Sequence, residues 1–141
     1  MDKLQRIIDH KRAELAMLRC ARPEATLRQL LADQPATAKH RSLRAALQHP
    51  KPGIIAEFKR RSPSAGAIAT GIADPVQVCR GYELAGASAL SVLTDEYFFG
   101  GSLDDLRLVR AAVDLPILRK DFLLESYQLL EIGRASCRER V

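Results

Sequence analysis

The chain has no tryptophan, only three cysteines and only seven other aromatic residues, and it contains no run near the ~20 apolar residues that a membrane-spanning helix needs. Cys20, Cys79 and Cys137 are odd in number and widely spaced, with no Cys-x-x-Cys and no Cys/His cluster. That excludes a disulfide framework and a zinc site as sequence-level readings. The four Phe and three Tyr are not interleaved with basic residues, so no base-stacking surface is signalled. His10, His40 and His49 have no clustered partners and read as surface residues. No Gly-x-Gly-x-x-Gly follows the first strand, which argues against a dinucleotide fold. The formal charge of +5 comes from Lys and Arg scattered among Asp and Glu, as on a solvated surface. This pattern suits a small phosphorylated metabolite better than nucleic acid. The N-terminus repeats Leu4, Ile7, Ile8, Leu15 and Leu18 near helical spacing, an amphipathic helix rather than an export signal, so the cytoplasm is the expected location.

What is present is an alternation of strand and helix after a helical lead-in. Two helices are expected over about residues 3–20 and after Pro23, which suits a first helical turn. A third short segment, Ser42 to Leu47, opens on an N-cap residue. Pro50, Pro52 and Gly53 then break the chain before a strand at Ile54 to Lys59. After a Ser/Gly/Ala-rich loop, Asp74-Pro75 reads as N-cap and first turn of a helix that lasts until Gly86. Ala89 to Thr94 makes a second strand, and Asp95 to Gly101 a loop. Ser102 and Asp105 approximate a capping box for a helix striped by Leu103, Leu106, Val109 and Val113. Leu115 to Arg119 gives a third strand, and Ser126 to about Glu131 the next helix. Such an order implies parallel strands with right-handed crossovers, compatible with a doubly wound sheet or a barrel.

The segment IIAEFKRRSPSAG, Ile54 to Gly66, carries the most chemistry. Alternation places Ile55, Glu57 and Lys59 on one strand face and Ile54, Ala56 and Phe58 on the other. Unpaired buried charge is costly, so a strand ending in Glu57 and Lys59 holds them for pairing or for catalysis. Polar residues also close the other two strands: Thr94 and Asp95, then Lys120 and Asp121. In a barrel, those ends converge on one site.

IIAEFKRRSPSAG, SVLTDEYFFGGSLDDL and LPILRKDFLLESYQLLE together, in that order and spacing, resemble the indole-3-glycerol-phosphate synthase family over about residues 1–131. The resemblance implies the N-terminal portion, about three β/α units, of a (β/α)8 TIM barrel with extra N-terminal helices; a whole barrel needs about 250 residues. It implies residues 1–53 as helical extension and 54–131 as the barrel units. The implied reaction closes an indole ring on 1-(2-carboxyphenylamino)-1-deoxyribulose 5-phosphate with loss of carbon dioxide and water. No metal or organic cofactor is implied. By the same resemblance Lys120 is the proton donor and Glu57 a fixed carboxylate that orients lysines and substrate. Lys59 meets substrate charge, Ser62 binds an anionic group, and Phe99 packs on the anthranilate ring. Fusion to, or association with, other tryptophan-pathway enzymes is left open.

Each residue also has a plainer reading. Glu57 and Lys59 can be a surface pair, Lys120-Asp121 a solvated strand end, Ser62-Pro63-Ser64 a turn, and Phe98 and Phe99 packing residues, the last favoured for Phe98. Rival functions are another phosphosugar barrel enzyme, such as phosphoribosylanthranilate isomerase, and a non-catalytic half-barrel that binds anions or self-associates. After Glu131 the pattern departs from the family. IGRASCRERV resembles a translated sequencing adapter, so residues 132–141 are expected to be non-native, with part of the formal charge in Arg134, Arg138 and Arg140. On that expectation the family's second glutamate, the general base, and its phosphate-gripping loops are absent and the fragment is inactive.

Overall fold

A computed structural model describes residues 2–33, 41–48, 52–68 and 74–135, without the side chains of 134 and 135. His40, His49, Pro50, Cys137, most of the Ser/Gly/Ala-rich loop after Ile68 and the end of the expected foreign tail lie outside the described residues. In chain order the elements are α1 (Lys3–Ala21), α2 (Glu24–Ala32), α3 (Leu43–Leu47), β1 (Ile55–Phe58), β2 (Arg61–Ser62) and β3 (Gly66–Ala67). They continue with α4 (Pro75–Leu84), β4 (Ala89–Leu93), α5 (Glu96–Phe99), α6 (Leu103–Ala112), β5 (Ile117–Lys120) and α7 (Ser126–Ala135). Two compact units result, one of Met1–Lys39 with Phe122–Val141, the other of His40–Asp121.

The first unit is helical. Asp2 caps α1 by accepting from the Leu4 N–H. Pro23 stands at the N-cap of α2 rather than inside its first turn, because its ψ of 148° is extended and helical geometry starts only at Glu24. Leu15, Leu27 and Tyr127 form the core, with Leu130 packed against them. The Tyr127 hydroxyl reaches the Leu18 and Arg22 carbonyls at 3.2 and 3.0 Å, and so ties α7 to the last turn of α1. Arg19 pairs with Glu125 at 2.8 Å. His10, expected at the surface, is half-buried beside Glu14.

The second unit is built on a parallel sheet in the order β1-β4-β5. Ala56 and Phe58 align with Leu90 and Val92, and Leu90 aligns with Ile117, so these side chains share one face. Phe58, Leu90, Val92 and Ile117 are buried there, in a core with Cys79 on α4 and Leu106 and Val109 on α6. The opposite face carries Ile55, Glu57, Ser91, Leu93, Leu118 and Lys120, and on it Ile55 and Leu118 stay exposed.

The helix starts follow from their caps. Ser42 accepts from the Ala45 N–H, Asp74 from the Val76 N–H and Ser102 from the Asp105 N–H, as expected. The Asp105 carboxylate, however, is taken up by Arg60. Two readings need correction, and a third, the Ser-Pro-Ser turn, holds. The expected loop Asp95 to Gly101 holds a helical turn, α5, capped by Asp95 through the Phe98 N–H and ended by Gly100 at φ +67°. The Ser-Pro-Ser turn is the tip of a small antiparallel hairpin in which Arg61 pairs with Ala67 and Ser62 with Gly66. The third strand runs Ile117 to Lys120 instead of Leu115 to Arg119, because Arg110 claims the Leu115 and Val113 carbonyls and the ladder starts only at the Pro116 carbonyl.

Candidate active site

Register puts the polar strand ends together. Glu57 aligns with Ser91, Ser91 with Leu118, and Leu93 with Lys120; Glu57, Ser91 and Lys120 therefore stand on one face of the sheet. The Ser91 hydroxyl donates to Glu57 Oε2 at 3.0 Å. Lys59 Nζ lies 3.2 Å from the other oxygen, Oε1. The carboxylate is thus held from both sides, by a neutral donor from the central strand and by an ammonium from its own strand end. Lys59 is half-buried and Lys120 is exposed, at the carboxyl end of β5.

Ser91 is the residue that sequence reasoning missed. Its signal was a single hydroxyl inside the apolar run Ala89-Leu90-Ser91-Val92-Leu93, at the parity that carries Glu57 on the neighbouring strand. Ser62 and Phe99 stand apart from the Glu57 group in their local bonding. The Ser62 hydroxyl accepts from the Ala65 N–H at 3.1 Å and lies 3.3 Å from Ser64 Oγ, so it organises its own hairpin tip. Phe99 is half-buried on the last position of α5. Phe98 meets Tyr97 edge to face, with ring centroids 4.8 Å apart.

Two arginines fasten the segment that carries Phe99. Arg60 donates to Asp105 and to the Gly100 carbonyl at 2.9 Å, with its guanidinium 5.0 Å from the Phe58 ring centroid. The hydrogen bond to Asp105 raises the Arg60 pKa above its ordinary value. Arg61 donates to the Glu96 and Tyr97 carbonyls at 2.8 and 2.6 Å. Gly101 sits so close to β4 that a Cβ there would collide with the Leu93 carbonyl, which explains the absence of a side chain at this position.

A carboxylate, two ammonium groups and a hydroxyl on one sheet face can orient an anionic substrate and move protons. No group of three or more His, Cys, Asp or Glu side chains suited to a metal ion occurs among the described residues. No helix among them is long and apolar enough to cross a membrane.

The family model for indole-3-glycerol phosphate synthase matches residues 4–137. The chain belongs to this family. It is 50% identical over 131 residues to the indole-3-glycerol phosphate synthase of Parafrankia sp., covering 93% of this chain and 47% of the relative. The Bacteroides thetaiotaomicron enzyme of the same name is 48% identical over 130 residues, 92% of this chain and 48% of the relative. For the Mycobacterium avium enzyme of that name the identity is 60% over 87 residues, 62% of this chain and 32% of the relative. The chain spans about half the length of the first two relatives. Indole-3-glycerol phosphate synthases are TIM barrels, and the three parallel strands described here form part of such a barrel.

Proposed function

We propose that the chain supplies the first three β/α units of an indole-3-glycerol phosphate synthase, a carbon–carbon lyase of tryptophan biosynthesis. Its substrate is 1-(2-carboxyphenylamino)-1-deoxyribulose 5-phosphate, a small phosphorylated molecule. Ring closure needs a proton on the sugar carbonyl oxygen as the aromatic carbon attacks, then loss of carbon dioxide, then a proton on the departing hydroxyl. Lys120 is the donor for these protons. Glu57, fixed by Ser91 and Lys59, orients the ammonium groups and stabilises the positive character that develops on the ring. Lys59 meets the anthranilate carboxylate or the developing oxyanion. Phe99 packs against the ring, and Ser62 with its neighbouring amides receives an anionic group.

The observation that supports this reading best is the shared sheet face of Glu57, Ser91 and Lys120 at the carboxyl strand ends. Barrel enzymes place their chemistry at that end of the strands. On the same reading the 141 residues alone do not turn over: the three parallel strands among the described residues supply only part of a site that a closed barrel builds from eight. The test is to join residues 1–131 to the C-terminal remainder of the Bacteroides thetaiotaomicron relative and follow the appearance of indole fluorescence from substrate. The joined protein should form product and the 141-residue chain should not. A folded joined protein without turnover would refute the assignment.

A further inference from the structure

On the sheet face opposite Glu57, a closed polar triangle brackets Lys120 in sequence. Arg119 Nε donates to Thr94 Oγ1 at 3.0 Å, its terminal nitrogen lies 3.0 Å from Asp121 Oδ2, and the Thr94 hydroxyl donates to that same Oδ2 at 2.7 Å. The Arg119 and Asp121 side chains are 6% and 2% exposed. A buried pair of charges is not by itself a source of stability, because desolvation offsets much of the attraction. Its effect here is geometric. The residues on either side of Lys120 are both anchored to Thr94, and the Thr94 N–H also donates to the Lys120 carbonyl at 3.0 Å. Arg119 lies within β5 on the face opposite Lys120 and Asp121 follows directly after the strand, so tying both to Thr94 holds the backbone on either side of Lys120.

We propose that Arg119, Thr94 and Asp121 are positioning residues that present Lys120 on the Glu57 face. None of them shares that face with Glu57; they act through the backbone of β5. The importance of this presentation rests on the assignment of Lys120 as proton donor, but the geometric claim can fail separately from that assignment.

The test uses the 141-residue chain with its lysines reductively methylated with carbon-13, the Lys120 resonance being assigned by Lys120→Arg. Nuclear Overhauser contacts from the Lys120 side chain to Leu93, its register partner on the site face, report the presentation. Thr94→Val should abolish these contacts in protein that still melts cooperatively, and Thr94→Ser, which keeps the hydroxyl, should restore them. A Thr94→Val protein that melts at a lower temperature but retains the contacts would show a merely structural role and overturn the proposal. If Thr94→Val does not fold, Arg119→Lys decides: it keeps the charge but loses the fork, so lost contacts support the proposal and retained contacts overturn it. Activity of the joined barrel with Lys120 replaced tests the donor assignment independently.

Discussion

The Ser91 hydroxyl donates to Glu57 Oε2 at 3.0 Å across adjacent parallel strands, so one hydroxyl on the central strand fixes the orientation of a carboxylate on the edge strand. Replacing Ser91 by Ala should destabilise the chain by about 1 kcal/mol, the usual net value of such a bond, since the half-exposed Glu57 can recover a water. Urea unfolding of the two proteins measures this. An unchanged midpoint would mean that the bond does not hold the carboxylate.

Gly101→Ala should be far more damaging than its single methyl suggests. The new Cβ meets the backbone of Leu93 and Thr94, which no rotamer change can relieve, so α5 and its Phe99 must move away from β4. A loss of about 3 kcal/mol in thermal or urea unfolding is expected, the upper range for overpacking.

Cys79 gives the second unit an alkaline limit. Burial pushes its thiol up to about 11, with the Asp105 charge adding to the effect, whereas in the unfolded chain it ionises near 9. A folded-state value above the unfolded one means that the stabilisation is complete below pH 9 and is lost as pH rises toward 11. Above that the loss amounts to about 3 kcal/mol. Cys79→Ala should lower stability at neutral pH through the cavity it leaves, yet flatten the decline between pH 9 and 11 in a series of urea titrations. An equally steep decline in the variant would remove Cys79 as its cause.

Tyr127→Phe keeps the ring in the Leu15 and Leu27 core but deletes the hydroxyl that serves the Leu18 and Arg22 carbonyls. A loss of about 1 kcal/mol is expected, with faster amide exchange in the last turn of α1. Unchanged exchange there would show that the hydroxyl does not secure the helix end.

Much of this molecule was legible wherever one residue decides local geometry. Asp74, Ser42 and Ser102 announced their helices because a short side-chain acceptor before a helical repeat has few other uses. Glu57 and Lys59 stood out as ions ending a strand. Features that depend on a distant partner were not legible: the Arg110 grip on the Leu115 carbonyl moved the start of β5, and Asp95 turned an aromatic loop into a helical turn. Ser91 was hidden for the same reason, since a lone Ser in an apolar strand acquires meaning only when register sets it beside Glu57. The orientation of Lys120 was hidden likewise, since its neighbours Arg119 and Asp121 acquire meaning only when register brings Thr94, at the end of the adjacent strand, beside them.

The central claim is that the Lys120 ammonium, on the face it shares with Glu57, is the acid that drives ring closure. It is tested most directly by Lys120→Gln in residues 1–131 joined to the remainder of the Bacteroides thetaiotaomicron relative, with kcat and KM read from indole fluorescence. The account predicts a fall in kcat of about a hundredfold or more, the usual contribution of a positioned acid, with KM little changed. A variant whose kcat stays within about twofold of the parent would contradict it, because the loss of a positioned acid costs far more than that.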